Sequence, residues 1–246
     1  MIARSSPVGS ALRYVVFHRM SELQTFESLG TVAVALAAAE IPLAKIGQCR
    51  GERLDQAERE FYVWILRRFS EAGAVQSDAS KGEATRMGLD FTKVRSKLAE
   101  EDLAHFDADG SVAVAYPFSG RPTAHRVLID GHSVHAMCAV DALGIAPMFD
   151  RPIVVTSRDP ITKAEINVWL QPDGTATWHP EEAVVVTGRC CEGAAFEGCC
   201  RVLNFFTSTE SAERYLRDTG VEGFPITIPQ AIEVGRAIFG EVLKQS

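Results

Sequence analysis

From Leu54 the chain reads "LDQAEREFYVWILRRFSEAG", with Leu54, Ala57, Phe61 and Ile65 at helical spacing and Gly73 as the stop. A short helix is predicted around "GEATRMG" and a longer one in "DFTKVRSKLAEEDL". The pattern then shortens in "AHFDADGSVAVAYPF", where Asp109-Gly110 is a hairpin turn between two short strands. Three helices and a hairpin make a winged-helix-like module over 51–120. The preceding 1–50 form an extension that is partly helical: a helix is expected over Ser28 to Ala39, with Pro42 ending it.

Beyond "SGRPT" strand patterns dominate. "HRVLID" reads as a strand and "GHSVHAMCAVDAL" as a helix closed off near Gly144 and Pro147. "RPIVVTS", "EINVWLQ", "TATWH" and "EAVVVTG" read as strands, Asp173-Gly174 turning one hairpin, and "CCRVLNFFTS" as one strand more. "STESAERYLRDTG" is a helix with Gly220 past its end, and "IPQAIEVGRAIFGEVLK" is a last helix with Pro229 in its first turn. Runs of strands bracketed by helices predict an α+β fold: the helical module, then a mixed, mainly antiparallel β domain with flanking helices over 121–246.

Charge narrows the use of the first module. Between Arg50 and Gly110 there are 10 Lys plus Arg against 13 Asp plus Glu, and the whole chain carries a formal −7. A DNA-reading helix sits in a basic surface, so no nucleic acid is expected and the module reads as structural. Hydrophobic residues at 46% and charged residues at 23% are ordinary for a globular protein. The uncharged span from Ser28 to Ala39 falls short of the roughly 20 apolar residues that cross a bilayer. The first residues also lack a secretory leader pattern, which makes the expected location cytoplasmic.

Of six cysteines, Cys49, Cys138, Cys190, Cys191, Cys199 and Cys200, four sit inside eleven residues, an excess that a cytosolic chain of reduced thiols explains by metal binding or thiol chemistry and not by disulfides. In "HAMCAVDAL", Cys138 and Asp141 are three apart on a predicted helix and so share one face. An acid beside a thiol can take its proton or return one, and burial raises a carboxyl pKa toward the range of a useful donor. The bland alternative is a buried cysteine with an exposed Asp one turn on. Cys199 and Cys200, read as opening a strand, point to opposite faces, so one can reach a site while the other packs. Thiolates suit soft metal ions, and one thiol from a helix with one from a strand can hold a linear, two-coordinate ion. His125, His132 and His135 gather near the same helix and read as surface or capping residues. No zinc-protease, zinc-ribbon or nucleotide motif accompanies them.

Taken together, "VLIDGHSVHAMCAVDALGIAP" followed by "EGCCRVLNFF" resembles the organomercurial lyases, or alkylmercury lyases. The likeness runs loosely from Leu54 to Lys244 and marks 121–246 as the catalytic domain. It implies protonolysis of a carbon–mercury bond to a hydrocarbon and Hg(II). Cys138 and Cys199 match the family's mercury-binding cysteines and Asp141 its catalytic aspartate, so these three hold the product Hg(II). No organic cofactor is implied; low-molecular-weight thiols are the co-reactant, and Hg(II) passes on to a mercuric reductase.

The chain departs from that pattern at Met137, where an aromatic is common, and near "TSRDP", where Asp159 replaces a cysteine of a structural position. Cys190 and Cys191 either relay released metal or are loop residues, and Cys49 is a spectator. The competing reading is a non-catalytic thiol protein that binds Cu(I) or Hg(II), or a lyase-like enzyme of different chemistry.

Overall fold

A computed structural model describes residues 53–188 and 198–244. The first apolar face becomes helix α1, Gln56–Ala72. Its start is a capping box: the Asp55 carboxylate accepts from the Glu58 amide, and the Glu58 carboxylate accepts from the Asp55 amide. Gly73 closes it in the left-handed region at φ 74°. Phe61, Ile65, Leu66 and Phe69 are fully buried, and Phe69 stacks on Phe118 at 5.3 Å. Helix α2, Ser77–Arg86, starts earlier than the "GEATRMG" pattern suggests, and α3, Phe91–Glu100, begins at an Asp90 cap. The hairpin follows as β1, Ala104–Phe106, and β2, Val112–Ala115.

That hairpin is also the edge of the main sheet. Strands β3 (Phe118–Ser119), β4 (His125–Ile129), β5 (His132–Ala136), β6 (Ile153–Arg158), β7 (Glu165–Leu170) and β8 (Ala176–His179) complete it. The order is β1-β2-β3-β5-β4-β6-β7-β8, and every pairing is antiparallel. Alternation decides the faces: Val127, Ile129, Ile166, Val168 and Leu170 point into the core, while Leu128 and Trp169 remain 46% and 45% exposed on the other side. A smaller antiparallel sheet, order β10-β9-β11, consists of β9 (Val184–Gly188), β10 (Phe205–Phe206) and β11 (Gly223–Thr227).

Four more helices complete the described residues: α4 (Ala139–Phe149), α5 (Cys199–Val202), α6 (Thr209–Thr219) and α7 (Ile228–Phe239). Helix α4 is buried at every position from Ala139 to Met148 and lies against the core face of β4, β5 and β6. On its other side it meets α7 at two glycines. A Cβ on Gly144 would run into the Phe239 ring, and one on Gly235 would come within 2.9 Å of the Gly144 nitrogen. Only glycine permits that approach. The fold is α+β as expected, with helices flanking antiparallel sheets.

Three elements differ from the sequence reading. "HSVHA" is the strand β5, not the first turn of a helix, because Val134 and Ala136 alternate into the core between β3 and β4. The helix after it passes Gly144 and Pro147 and ends at Asp150, itself left-handed at φ 54°. "CCRVLNFFTS" is a single helical turn leading into the two-residue β10, not one strand. The expected helix at Ser28 to Ala39, together with Cys49, Cys190 and Cys191, lies outside the described residues. Among the described residues no helix is long and apolar enough to cross a membrane.

Candidate active site

Cys138 stands at the junction of β5 and α4. Its backbone is extended, at φ −149° and ψ 179°, and its sulfur takes the N-cap role, accepting a hydrogen bond from the Asp141 amide at 3.4 Å. A strand that ends in the core and a helix that starts there leave this residue 2% exposed. Asp141, in the first helical turn where a carboxylate complements the helix dipole, is 5% exposed. The two remain neighbours, as the spacing predicted, through an N-cap relation and not as two residues inside a helix.

The second thiol arrives on α5. Cys200 is 7% exposed and its Sγ–H donates to Asp141 Oδ2 at 3.6 Å. The ligand atoms of Cys138, Asp141 and Cys200 all lie within 4.8 Å of one another. Among the described residues this is the group of Cys, His, Asp or Glu side chains close enough to share an ion. The sequence assigned the second thiol to Cys199, whose side chain lies outside the described part. Cys200, its neighbour, lies beside Asp141. The choice of Cys199 came from the family resemblance; the strand reading required only that the two cysteines face opposite ways.

Backbone contacts bind the two halves. The Ala139 amide, one residue past Cys138, donates to the Leu203 carbonyl at 2.9 Å. Downstream, Asp159 anchors the same stretch: Oδ2 accepts from the Thr207 amide, the Thr207 hydroxyl and the Ser211 hydroxyl, at 2.8, 2.8 and 2.7 Å. Its Oδ1 accepts from the Ile161 and Thr162 amides. Burial pushes the Asp159 pKa up, but these hydrogen bonds outweigh it and bring it down to about 2.

Electrostatics keep the resting Cys138 a thiol. Burial raises its pKa well above 9.0, and the hydrogen bond with Cys200 and the nearby Asp141 charge push the same way. A buried S–H of this kind is unreactive until something replaces its proton, and a soft metal ion does so by forming a metal–thiolate bond. The histidines divide. His132 is exposed, and His135 Nδ1 accepts from the Thr123 amide at 3.1 Å. His125, expected at the surface, is instead 2% exposed behind the site. Its position opening β4, where the burial alternation points inward, is the signal that could have revealed this.

Two thiols and a carboxylate are buried together at the N-terminus of α4, a donor set with the chemistry to hold a soft metal ion. The fold has a solved counterpart: a structure described as the mercury-bound form of MerB2 superposes with a TM-score of 0.69, at 21% identity, covering 82% of this chain and 98% of that one. Sequence carries the relation further. The family model described as alkylmercury lyase matches residues 118–240, half of the chain. An alkylmercury lyase of Staphylococcus epidermidis is 27% identical over 188 residues, 75% of this chain and 86% of that protein. One of Pseudomonas putida is 24% identical over 188 residues, 75% and 85% of the two chains. The chain belongs to the alkylmercury lyase family and is an enzyme of that class.

Proposed function

We propose that the enzyme cleaves a carbon–mercury bond by protonolysis, using Cys138, Asp141 and a thiol of the Cys199–Cys200 turn. The observation that carries this reading is the mutual approach, within 4.8 Å, of two sulfurs and one carboxylate that are all buried. The substrate is R–Hg–X. Cys138 sulfur bonds to mercury and its proton leaves with X. The second thiol then gives its proton to Asp141 and its sulfur takes the next place on mercury. Two thiolate donors push electron density onto carbon, and Asp141 delivers the proton there as the Hg–C bond breaks. The products are R–H and Hg(II) held by two protein sulfurs; two small thiols exchange with them and regenerate both S–H groups.

Burial serves each step. It keeps the Cys138 thiol protonated until substrate arrives, and it keeps water from competing for the proton that carbon must receive. Asp141 serves as base and then acid, and needs no third group because the Cys200 thiol already donates to it. For the second sulfur, the family resemblance favours Cys199 and the hydrogen bond to Asp141 favours Cys200; single variants separate them. We further infer that the 51–120 module supports the sheet and reads no DNA, and that the Hg(II) is passed to a mercuric reductase in the cytoplasm.

Reduced protein with excess small thiol should release benzene from phenylmercury, measured by gas chromatography of the headspace. Cys138→Ala should release none, and one of Cys199→Ala and Cys200→Ala should be silent while the other keeps turning over. Tight retention of Hg(II) or Cu(I) by the wild type with no hydrocarbon produced would replace this reading with that of a metal-binding protein.

A further inference from the structure

His125 is buried where a histidine has no evident reason to be. Its ring lies between β4 and the stretch after α5: Nδ1 is 2.9 Å from the Ser157 hydroxyl, and the ring centroid lies 5.8 Å from that of Phe205. Ser157 and Phe205 are themselves fully buried. Burial drives the imidazole pKa down to about 4, with a small push from His135, so the ring is neutral at physiological pH.

Its backbone ties in the other half of the site. His125 pairs with Ala136, two residues before Cys138. The Thr123 hydroxyl accepts from the His125 amide and donates to the Ala136 carbonyl, at 3.2 and 2.7 Å. Across the gap, Asn204 is four residues past Cys200, and its neighbour Leu203 accepts the Ala139 amide. One side chain therefore links the strand pair that leads into Cys138 to the segment that brings in the second thiol.

We propose that His125 is a positioning residue: a wedge between β4 and residues 203–206 that sets the second thiol at metal-sharing distance from Cys138. It touches no reacting atom. Its effect passes through the Phe205 ring to the α5 turn, as outer partners orient the ligands of metal sites. This rests on the proposed function only for what the thiols are for, since the spacing of two sulfurs can be read with Hg(II) alone.

The test titrates the reduced full-length protein with Hg(II) against a small dithiol and follows the ultraviolet Hg–thiolate absorption. His125→Ala should weaken retention roughly 10–100-fold and diminish the two-thiolate signature. It should lower kcat for phenylmercury more than it alters KM. His125→Gln, which keeps a donor and an acceptor, should recover most of both. Leu98→Ala, in the distant α3 core, is the control: it should lower Tm and leave Hg(II) retention at the wild-type level. Wild-type retention in His125→Ala would overturn the proposal, as would losses in His125→Ala and Leu98→Ala that simply follow Tm. If the wild type holds Hg(II) through two sulfurs and releases no benzene, the lyase reading falls while the effect of His125→Ala on retention still decides this one.

Discussion

Cys138 caps a helix buried on every side, whereas Cys200 rides on one helical turn between residues 189–197, outside the described part, and a two-residue strand. The first thiol needs no special anchor. It follows a central strand, its sulfur accepts the Asp141 amide, and α4 is pressed into α7 by a glycine-to-glycine approach. A single turn cannot hold itself by its own hydrogen bonds. The second thiol is placed from outside, by the Ala139–Leu203 bond, by His125 against Phe205, and by Asp159 on Thr207 and Ser211. One half of the site is built by apolar packing and the other by polar ties. Substitutions should therefore divide: those in the packed half cost stability alone, those in the tied half cost metal capture as well as stability.

The largest effect should come from the group the halves share. Asp141→Asn keeps the shape, removes the proton carrier, and should lower kcat by roughly 10²–10⁴-fold while stoichiometric Hg(II) is still bound, as single-turnover assays would measure. Unchanged kcat would detach Asp141 from the chemistry. Next is the packed half. Gly235→Val forces atoms into the Gly144 backbone and should cost about 1–3 kcal/mol, read as a drop in Tm of roughly 2–4 °C for each kcal/mol. A Tm equal to that of the wild type would show that the close approach of α4 and α7 is not needed.

The smallest effect belongs to the polar anchor. The Asp159 pKa falls from 3.8 to about 2 on folding, so its carboxylate adds stability that is fully present above 3.8 and lost as pH falls through 2. Asp159→Asn should lose about 1–2 kcal/mol at neutral pH by denaturant unfolding, and the gap from the wild type should close as the pH falls from 3.8 toward 2. A gap that stays constant across that range would mean that Asp159 acts through shape and not through charge.

Much of the scaffold is legible in the sequence because its signals are local. "EINVWL" alternates as a half-exposed strand must, Asp173-Gly174 turns its hairpin with Gly174 at φ 95°, and Gly73 and Gly220 both close helices in the left-handed region. The site is harder to read. Cysteine is not a customary N-cap, so nothing in "HAMCAV" marks the switch from strand to helix, and the helical spacing of α4 extends on paper back into β5. The turn at Cys199–Val202 is too short to show a helical period, and its local pattern resembles a strand. Strand β11 escapes a sequence reading for a related reason: Pro225 argues against a strand, yet β11 is an edge strand, where proline is tolerated. The pairing of Cys138 with Asp141 survives these errors because an N-cap and its third helical residue are neighbours just as two helical positions three apart are.

The most direct measurement of the central claim, that buried sulfurs and one carboxyl act together on a single mercury atom, is phenylmercury turnover in heavy water with mass analysis of the hydrocarbon. The account predicts one benzene per phenylmercury consumed, each carrying a single deuterium delivered through Asp141, and no benzene from Cys138→Ala. Undiminished benzene release by Cys138→Ala, or hydrocarbon free of deuterium from the wild type, would contradict it.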